Sequence, residues 1–439
     1  MNQQKSYRSS FILLTTLFFL WGFITVLVDS LIPRLRELFT LTYFQAGLVQ
    51  FAFFGAYFLL SIPASYILSK IGYKKGIILG LLTMAIGCLL FYPAASYRVF
   101  GVFMLAYFIL AGGMTILQVA ANPFVAVLGS ENGASSRLNL SQAFNSLGTA
   151  IAPAVGALFI LSDTIKTEDE IASLTGTAKE TYLASEASAV QMPFLGLALF
   201  IGFIAVIFLF AKLPKMMSET STGTYAEAFH NKKLMQGVLG IFFYVGAEVA
   251  IGSYLVNYFL DMNLAPLIQQ SETLMNIVNF VSKIFFKSID GADSKALLGI
   301  FVIFYWSGAM IGRFVGSYLT QIMKPGRVLG IFATLAIVFI LISISTTGLL
   351  SMWSILAVGL FNSIMFPTIF TLSIDGLGEL KAKASGLLCM AIVGGALIPP
   401  LYGFLTDIIG FKTALFFIIA CYSYILWFGY RNSKKINIT

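Results

Sequence analysis

Twelve apolar runs, each roughly 18–28 residues long, take up most of this 439-residue chain. They fall at about 11–32, 45–69, 76–94, 99–128, 138–161, 189–211, 234–260, 296–322, 328–349, 351–375, 384–409 and 412–429. Each can cross about 30 Å of hydrocarbon as a helix, and a bilayer core leaves a backbone few other choices, because every N–H and C=O there must be satisfied internally. An apolar content of 58%, a charged content of 10% and a mean hydropathy of +0.90 exclude an ordinary soluble globular protein. The fold class expected is an all-α membrane protein with twelve transmembrane helices. No hydrophilic stretch is long enough for a soluble catalytic or nucleotide-binding domain, so an enzyme or an ATP-driven pump is not expected. The first run is too long for a signal h-region and lacks a small-residue cleavage site, so it reads as a mature helix.

Charge placement orients the spans. With both termini in the cytoplasm, inside segments hold about 17 of the 27 Lys and Arg residues, including Lys70, Lys74, Lys324, Arg327 and Arg431. The mainly acidic stretch 163–186 then falls outside. This distribution accounts for the net charge of +8 without a nucleic-acid partner and suits a multi-pass protein of a cell inner membrane. Cys88, Cys389 and Cys421 all lie within spans and read as packing residues. The single histidine, His230, sits in the central loop, which argues against a histidine metal site or proton relay.

The two halves echo each other at an offset of about 250 residues. Gly148-Thr-Ala-Ile-Ala-Pro153 in span 5 matches Gly394-Gly-Ala-Leu-Ile-Pro399 in span 11, and Ala-Asn-Pro at 121–123 in span 4 matches Met-Phe-Pro at 365–367 in span 10. A displacement of six helices preserves orientation, so the halves are parallel repeats about an axis along the membrane normal. The expected organisation is a six-helix bundle at 1–211, a polar cytoplasmic loop at 212–233 and a second six-helix bundle at 234–439. A site between the bundles and a rocking motion would follow.

Two acids stand inside otherwise apolar spans, Asp29 near the far end of span 1 and Glu248 in the middle of span 7. An acid at a helix centre costs about 2.5–3.5 kcal/mol on insertion scales, so a lipid-facing position is a poor place for either. Each has a plainer reading, Asp29 as a helix-end carboxylate paired with Arg34 or Arg36 and Glu248 as a hydrogen-bonded packing group. The functional reading is a carboxylate that binds sugar hydroxyls, a proton or a sodium ion, and the residues leave all three open. Gln118 and Asn122 are spaced i, i+4, and Gln142 and Asn145 i, i+3, so each pair shares a helix face. Amides offer both donors and acceptors to a ring of hydroxyls, though they also fix helix packing. Pro123 is expected to open the helix beside Asn122. Tyr254, Asn257, Tyr258 and Asn362 are the matching polar candidates of the second half, and Trp21, Tyr305 and Trp306 could stack on a sugar face, although lipid or core packing is the plainer reading of each. Arg313, toward the cytoplasmic end of span 8, is expected to snorkel in a structural or gating role. Residues 273–289 have helical apolar spacing and read as a helix lying at the outer interface.

The run Gln118-Val-Ala-Ala-Asn-Pro-Phe-Val-Ala-Val-Leu-Gly129 resembles the span 4 motif of the fucose permease-like group of the major facilitator superfamily. Leu138-Asn-Leu-Ser-Gln-Ala-Phe-Asn-Ser-Leu-Gly148, Tyr244-Val-Gly-Ala-Glu248, Phe366-Pro-Thr-Ile-Phe-Thr-Leu372 and Trp21-Gly-Phe23 with Asp29 extend the likeness over essentially the whole chain. The resemblance implies uptake of a monosaccharide with a cation through alternating access. Members that take L-fucose with a proton carry acids at the positions matching Asp29 and Gln118. The second is an amide here and cannot carry a proton. Glu248 instead resembles the glucose/galactose branch, so glucose or galactose is the expected substrate, with sodium or a proton as coupling ion at Asp29 or Glu248. Gln118, Asn122, Gln142, Asn145, Glu248, Tyr254, Asn257 and Asn362 are the expected sugar contacts. No cofactor beyond a bound sodium ion is expected, and the carrier is expected to be monomeric. A proton-driven exporter of amphiphiles and a transport-inactive sugar sensor are the alternatives.

Overall fold

The computed structural model describes residues 2–38, 43–160, 175–214, 223–284 and 294–433. Within these ranges the side chains at 2–6, 29–38, 43–47, 50, 154–160, 179, 183 and 186–190 lie outside the description. Before the central linker come α1 (Asn2–Leu38), α2 (Tyr43–Tyr97), α3 (Phe100–Val127), α4 (Ala134–Ile160) and α5 (Gly176–Phe210). The linker carries the short α6 (Tyr225–His230). After it come α7 (Lys232–Asp261), α8 (Leu264–Gln269), α9 (Glu272–Ile284), α10 (Ser294–Ile322), α11 (Pro325–Ser345) and α12 (Gly348–Asn362). The chain ends with α13 (Met365–Ile374), α14 (Lys381–Met390), α15 (Gly394–Ile409) and α16 (Phe411–Ser433).

These helices make twelve spans. The 55 residues of α2 are two spans divided at Gly72, whose φ of 78° and ψ of 169° lie in a region open to glycine and strained for other residues. The helix pairs α12–α13 and α14–α15 are one span each, interrupted at Ser363–Ile364 and by a 3₁₀ turn at Ala391–Val393. Where the sequence suggested single runs at 351–375 and 384–409, the backbone is broken near mid-span. Such breaks are tolerated in a membrane only where neighbours re-satisfy the freed groups. Span 6 also starts earlier than its apolar run, at Gly176, as part of α5. Helix α9 has the amphipathic spacing expected for 273–289, with Leu274 and Val278 buried and Phe280 exposed, and residues 285–289 lie outside the described residues.

Proline placement shows how the interior is satisfied. Pro123 does not open α3, which continues to Val127. Proline lacks the N–H that would bond the carbonyl four residues back, here that of Val119. The Ser385 hydroxyl of α14 donates to that oxygen at 2.8 Å, so a residue of the other half completes the helix. Pro367 likewise cannot bond the Ser363 carbonyl, which accepts from Arg313 Nε at 3.2 Å.

In the first half α2 packs on α3 and α5, and α1 on α4; in the second half α11 packs on α16 and α12, and α7 on α15. Close approach of α1 and α4 needs glycine on both helices. A Cβ at Gly22 would run into the backbone of Asn145, and one at Gly148 into that of Phe19. Small residues let spanning helices gain dispersion contact that lipid cannot supply differentially. The halves meet through α10 and α13 on α4, and through α14 on α2 and α3. Ser135 and Thr371 hydroxyls lie 2.6 Å apart, Asn139 Nδ2 donates to Thr368 Oγ1 at 3.2 Å, and Ser317 Oγ donates to the Ser136 carbonyl at 3.0 Å. All of these lie toward the end of the molecule that carries the linker.

The linker is docked there as well. Thr224 and Glu227 form a capping box on α6, and the Asn231 side chain caps α7. The Tyr225 hydroxyl donates to the Ile62 carbonyl at 3.0 Å and sits 2.7 Å from Ser65 Oγ. Partial burial pushes the Tyr225 hydroxyl above its ordinary value of 10.0, with the Ser65 bond opposing.

Candidate functional site

A cavity of about 220 Å³ lies between the halves. From the first half its wall takes Trp21 and Thr25 of α1, Phe53 and Tyr57 of α2, Gln118 of α3, and Gln142, Asn145 and Thr149 of α4. From the second half come Tyr244 and Glu248 of α7, Arg313 of α10, Phe366 of α13 and Ile392 of the 3₁₀ turn. Helical periodicity explains the spacing: Trp21 and Thr25, Phe53 and Tyr57, Asn145 and Thr149, and Tyr244 and Glu248 are each four residues apart, so each pair presents one face.

Several polar groups on this wall are poorly satisfied among the described residues. Glu248 Oε1, the Tyr244 hydroxyl and Gln118 Oε1 are buried without a well-formed hydrogen bond, and Tyr244 and Glu248 interact side chain to side chain. A buried donor or acceptor left unmade costs about 1–3 kcal/mol, so such groups mark a place where a solute or water completes the network. The other polar groups are already fixed. Asn145 Nδ2 donates to the Phe18 carbonyl at 2.9 Å, and Thr25 Oγ1 to the Trp21 carbonyl at 2.9 Å. Gln142 Nε2 donates to Asn122 Oδ1 at 3.4 Å.

Arg313 does not snorkel to an aqueous face, as the sequence suggested; it points into the cavity. Its Nε bonds the Ser363 carbonyl, and its Nη1 donates to Ser146 Oγ and, at 3.5 Å, to the Gln142 carbonyl. Its three partners belong to both halves, because α4 is in the first and Ser363 in the second. Among the described residues it forms no ion pair with Glu248, although it shares the cavity.

Asn362 occupies a different place from the one its polarity suggested. It is fully buried behind the cavity, donating to the Tyr305 hydroxyl and accepting from Tyr422 at 2.5 Å each. Tyr305 in turn donates to the backbone carbonyl of Glu248 at 3.3 Å. Asn362 is thus satisfied within the protein and holds the Glu248 turn of α7 from behind. Asn122 is also fully buried, one turn beyond Gln118, and among the described residues it reaches the wall through Gln142. Tyr254 packs edge-on to Tyr402, Asn257 is exposed, and neither lines the cavity. Trp306 is also off the wall and half exposed, packed edge-on to Tyr305. Asp29 lies within α1, but its side chain is outside the described residues.

The cavity brings together Gln118, Gln142, Asn145, Glu248 and Trp21 from the sequence candidates, and adds Tyr244, Thr25, Thr149, Phe53 and Tyr57. Tyr244 carried a readable signal, one turn before Glu248 on the same face. The two α2 aromatics carried none among so many others. No cluster of three or more His, Cys, Asp or Glu side chains that could hold a metal ion occurs among the described residues.

The chain matches the family model of the Major Facilitator Superfamily over residues 9–391. It is 46% identical over 437 residues to a glucose/galactose transporter of Brucella abortus biovar 1 (strain 9-941), covering 99% of this chain and 96% of the relative. It is 34% identical over 446 residues to the L-fucose-proton symporter of Escherichia coli (strain K12), covering 99% and 96% of the two chains. The crystal structure of the transporter FucP in the outward conformation superposes with a TM-score of 0.87 at 32% identity, covering 98% of this chain and all of that one.

Proposed function

The chain belongs to the major facilitator superfamily, as a multi-pass membrane transporter rather than an enzyme, and we propose that it imports a hexose, glucose or galactose, together with a cation by alternating access. The observation that carries this reading is the convergence of Gln118, Tyr244 and Glu248, whose buried polar atoms find no well-formed hydrogen bond among the described residues, in one cavity walled by both halves. A hexose offers a hydroxyl to each, and Trp21 or Phe53 supplies an aromatic face to its C–H side. The likeness to the Brucella glucose/galactose transporter supports this substrate class. A cavity of about 220 Å³ falls below the roughly 300–1,000 Å³ of pockets that take drug-sized ligands, which disfavours export of bulky amphiphiles.

Glu248 is the carboxylate proposed to couple the cation, because position 118 holds an amide that cannot carry a proton. The coupling ion, sodium or a proton, is a co-substrate here and not a resident cofactor. Asp29 is a second cation-coupling candidate. The serine, threonine and asparagine contacts between α4 and α10–α13 close one end, which charge placement assigns to the cytoplasm of an inner-membrane protein with both termini inside. Import then requires these contacts to open as the halves at 1–211 and 234–439 rock. Arg313 belongs to both sides of that motion and acts as a clasp across the cavity. The carrier works as a monomer, since the cavity needs no second chain. A neutral sugar moving with one cation carries charge inward, worth about 2.3 kcal/mol per 100 mV. That alone supports roughly fiftyfold accumulation.

The test is uptake of labelled glucose and galactose into proteoliposomes under an imposed sodium gradient at equal pH with the membrane potential clamped. Sodium-dependent accumulation establishes a sodium symporter. Accumulation under a proton gradient alone assigns the proton. Loss of counterflow for both sugars in folded protein sinks the hexose reading.

A further inference from the structure

A second cavity, of about 760 Å³, opens at the linker end of the molecule, apart from the central site. Five cationic side chains line it, Lys232, Lys233, Lys324, Lys381 and Arg431, against the two carboxylates Glu131 and Asp375. Both carboxylates are engaged, Lys233 Nζ with Asp375 at 3.2 Å and Lys381 Nζ with Glu131 at 3.6 Å. Lys232, Lys324 and Arg431 are therefore left without a carboxylate partner among the described residues, and their charge is concentrated on one concave wall. Helix α11 starts on the same wall with Lys324 as N-cap, no side-chain cap, and Pro325 in its first turn. The positive end of its dipole adds to the same field.

The inside excess of Lys and Arg explains why cations lie at this end. It does not explain why three that lack a carboxylate partner, Arg431 lying over the Trp427 ring, should line one cleft. A cleft lined mainly by one sign of charge focuses the field and raises the local concentration of an anion, even where the side chains themselves are exposed. We propose that this cavity is a binding site for a small phosphate-bearing anion of the cytosol, distinct from the sugar site.

The wall has a second property. Ala126, Glu131 and Ser135 belong to the first half, while Lys324, Thr371 and Lys381 belong to the second. The ion pair Lys381–Glu131 and the Ser135–Thr371 contact lie on the wall and cross between the halves. The cavity is complete only while this end is closed, so an anion that binds it favours the closed form by its differential affinity for the two states. Its occupancy would slow release of transported solute on this side. That regulatory consequence rests on the transport reading above; the binding site itself does not.

The experiment is calorimetric titration of the full chain in phosphatidylcholine nanodiscs with inorganic phosphate and with glycerol 3-phosphate, which has no hexose ring to enter the central cavity. Saturable binding is expected, weakened about tenfold by Lys324→Gln and further by adding Lys232→Gln, because each change removes one unpaired charge. Both positions are solvent-exposed, so the variants should fold, and an unchanged thermal midpoint verifies it. Repeating the titration with phosphatidylglycerol in the disc separates the sources: competition by that lipid places its headgroup in the same anion site, and unaltered affinity assigns the site to soluble phosphates. A Ser135→Cys/Thr371→Cys disulfide that holds this end shut should leave affinity equal or higher. No saturable binding in folded protein, or equal binding by the double lysine variant, overturns the site. Loss of binding in the cross-linked form overturns the link to the closed state. None of these readouts depends on which sugar is carried.

Discussion

Replacing Glu248 by Gln changes one oxygen for an NH₂ group at nearly constant volume, so it tests charge with little change of packing. The Tyr305–Asn362–Tyr422 network holds the backbone carbonyl of Glu248, not its side chain, and should survive the exchange. Two effects then separate. If the carboxylate accepts hydrogen bonds from sugar hydroxyls, losing its charge removes about 1.5–3 kcal/mol, the range for hydrogen bonds to charged groups. That corresponds to roughly tenfold to a hundredfold weaker half-saturation in sugar counterflow. If it also binds the coupling cation, the roughly fiftyfold accumulation worked out for 100 mV should fall to about one, because no charge then moves with the sugar. The assay is counterflow and gradient-driven accumulation of the same labelled hexose in the same proteoliposomes, with the wild type beside the variant. A variant that counterflows weakly and no longer accumulates supports both roles. Near-normal accumulation and affinity would refute the argument and return Glu248 to packing.

Other expectations follow from the same contacts. Arg313→Lys keeps the charge but cannot serve the Ser363 carbonyl, Ser146 and the Gln142 carbonyl together, so counterflow should fall at least about tenfold with the thermal midpoint nearly kept; unchanged counterflow would remove the clasp. Tyr422→Phe leaves Asn362 Oδ1 buried and unpartnered, and should destabilise the protein by about 1–3 kcal/mol in thermal or denaturant unfolding while leaving the cavity wall intact. Tyr225→Phe removes the linker's hold on Ile62 and Ser65, and should raise the protease sensitivity of the linker. Burial raises the folded-state pKa of Tyr225 above its ordinary 10.0, so the stability it adds is whole below that value and lost only as pH climbs through the raised one. Linker protection should therefore stay flat between about pH 6 and pH 9; a fall within that window would contradict the assignment.

The spans were legible because a bilayer imposes one rule on length and polarity, and their count followed from twelve apolar runs. Glu248 was legible for the same reason, as a charge that lipid would not tolerate. The central cavity was legible in part. Gln118, Gln142 and Asn145 stood out as amides in apolar helices, and they do line it. Asn362 and Asn257 stood out by the same criterion and do not, because an amide within a span does not say which way it faces: Asn257 is exposed and Asn362 is buried behind the cavity. For Asn362 the partners are two tyrosines that look like ordinary core residues in the sequence. Arg313 was placed at an aqueous face by its position along the span, yet Pro367 frees a carbonyl 50 residues away that draws it inward.

The sequence by itself determined that this chain crosses a membrane as helices, because backbone solvation in hydrocarbon depends only on local composition and length. It also determined which spans carry charge. Only the tertiary structure decided where mid-span breaks fall, which proline-freed carbonyls are rescued by the other half, and which polar groups remain poorly satisfied around the cavity. Those outcomes depend on helix rotation and on contacts between residues more than a hundred positions apart, such as Ser385 and the Val119 carbonyl. A periodic pattern fixes the face of a helix, and the neighbour that face meets is set by packing.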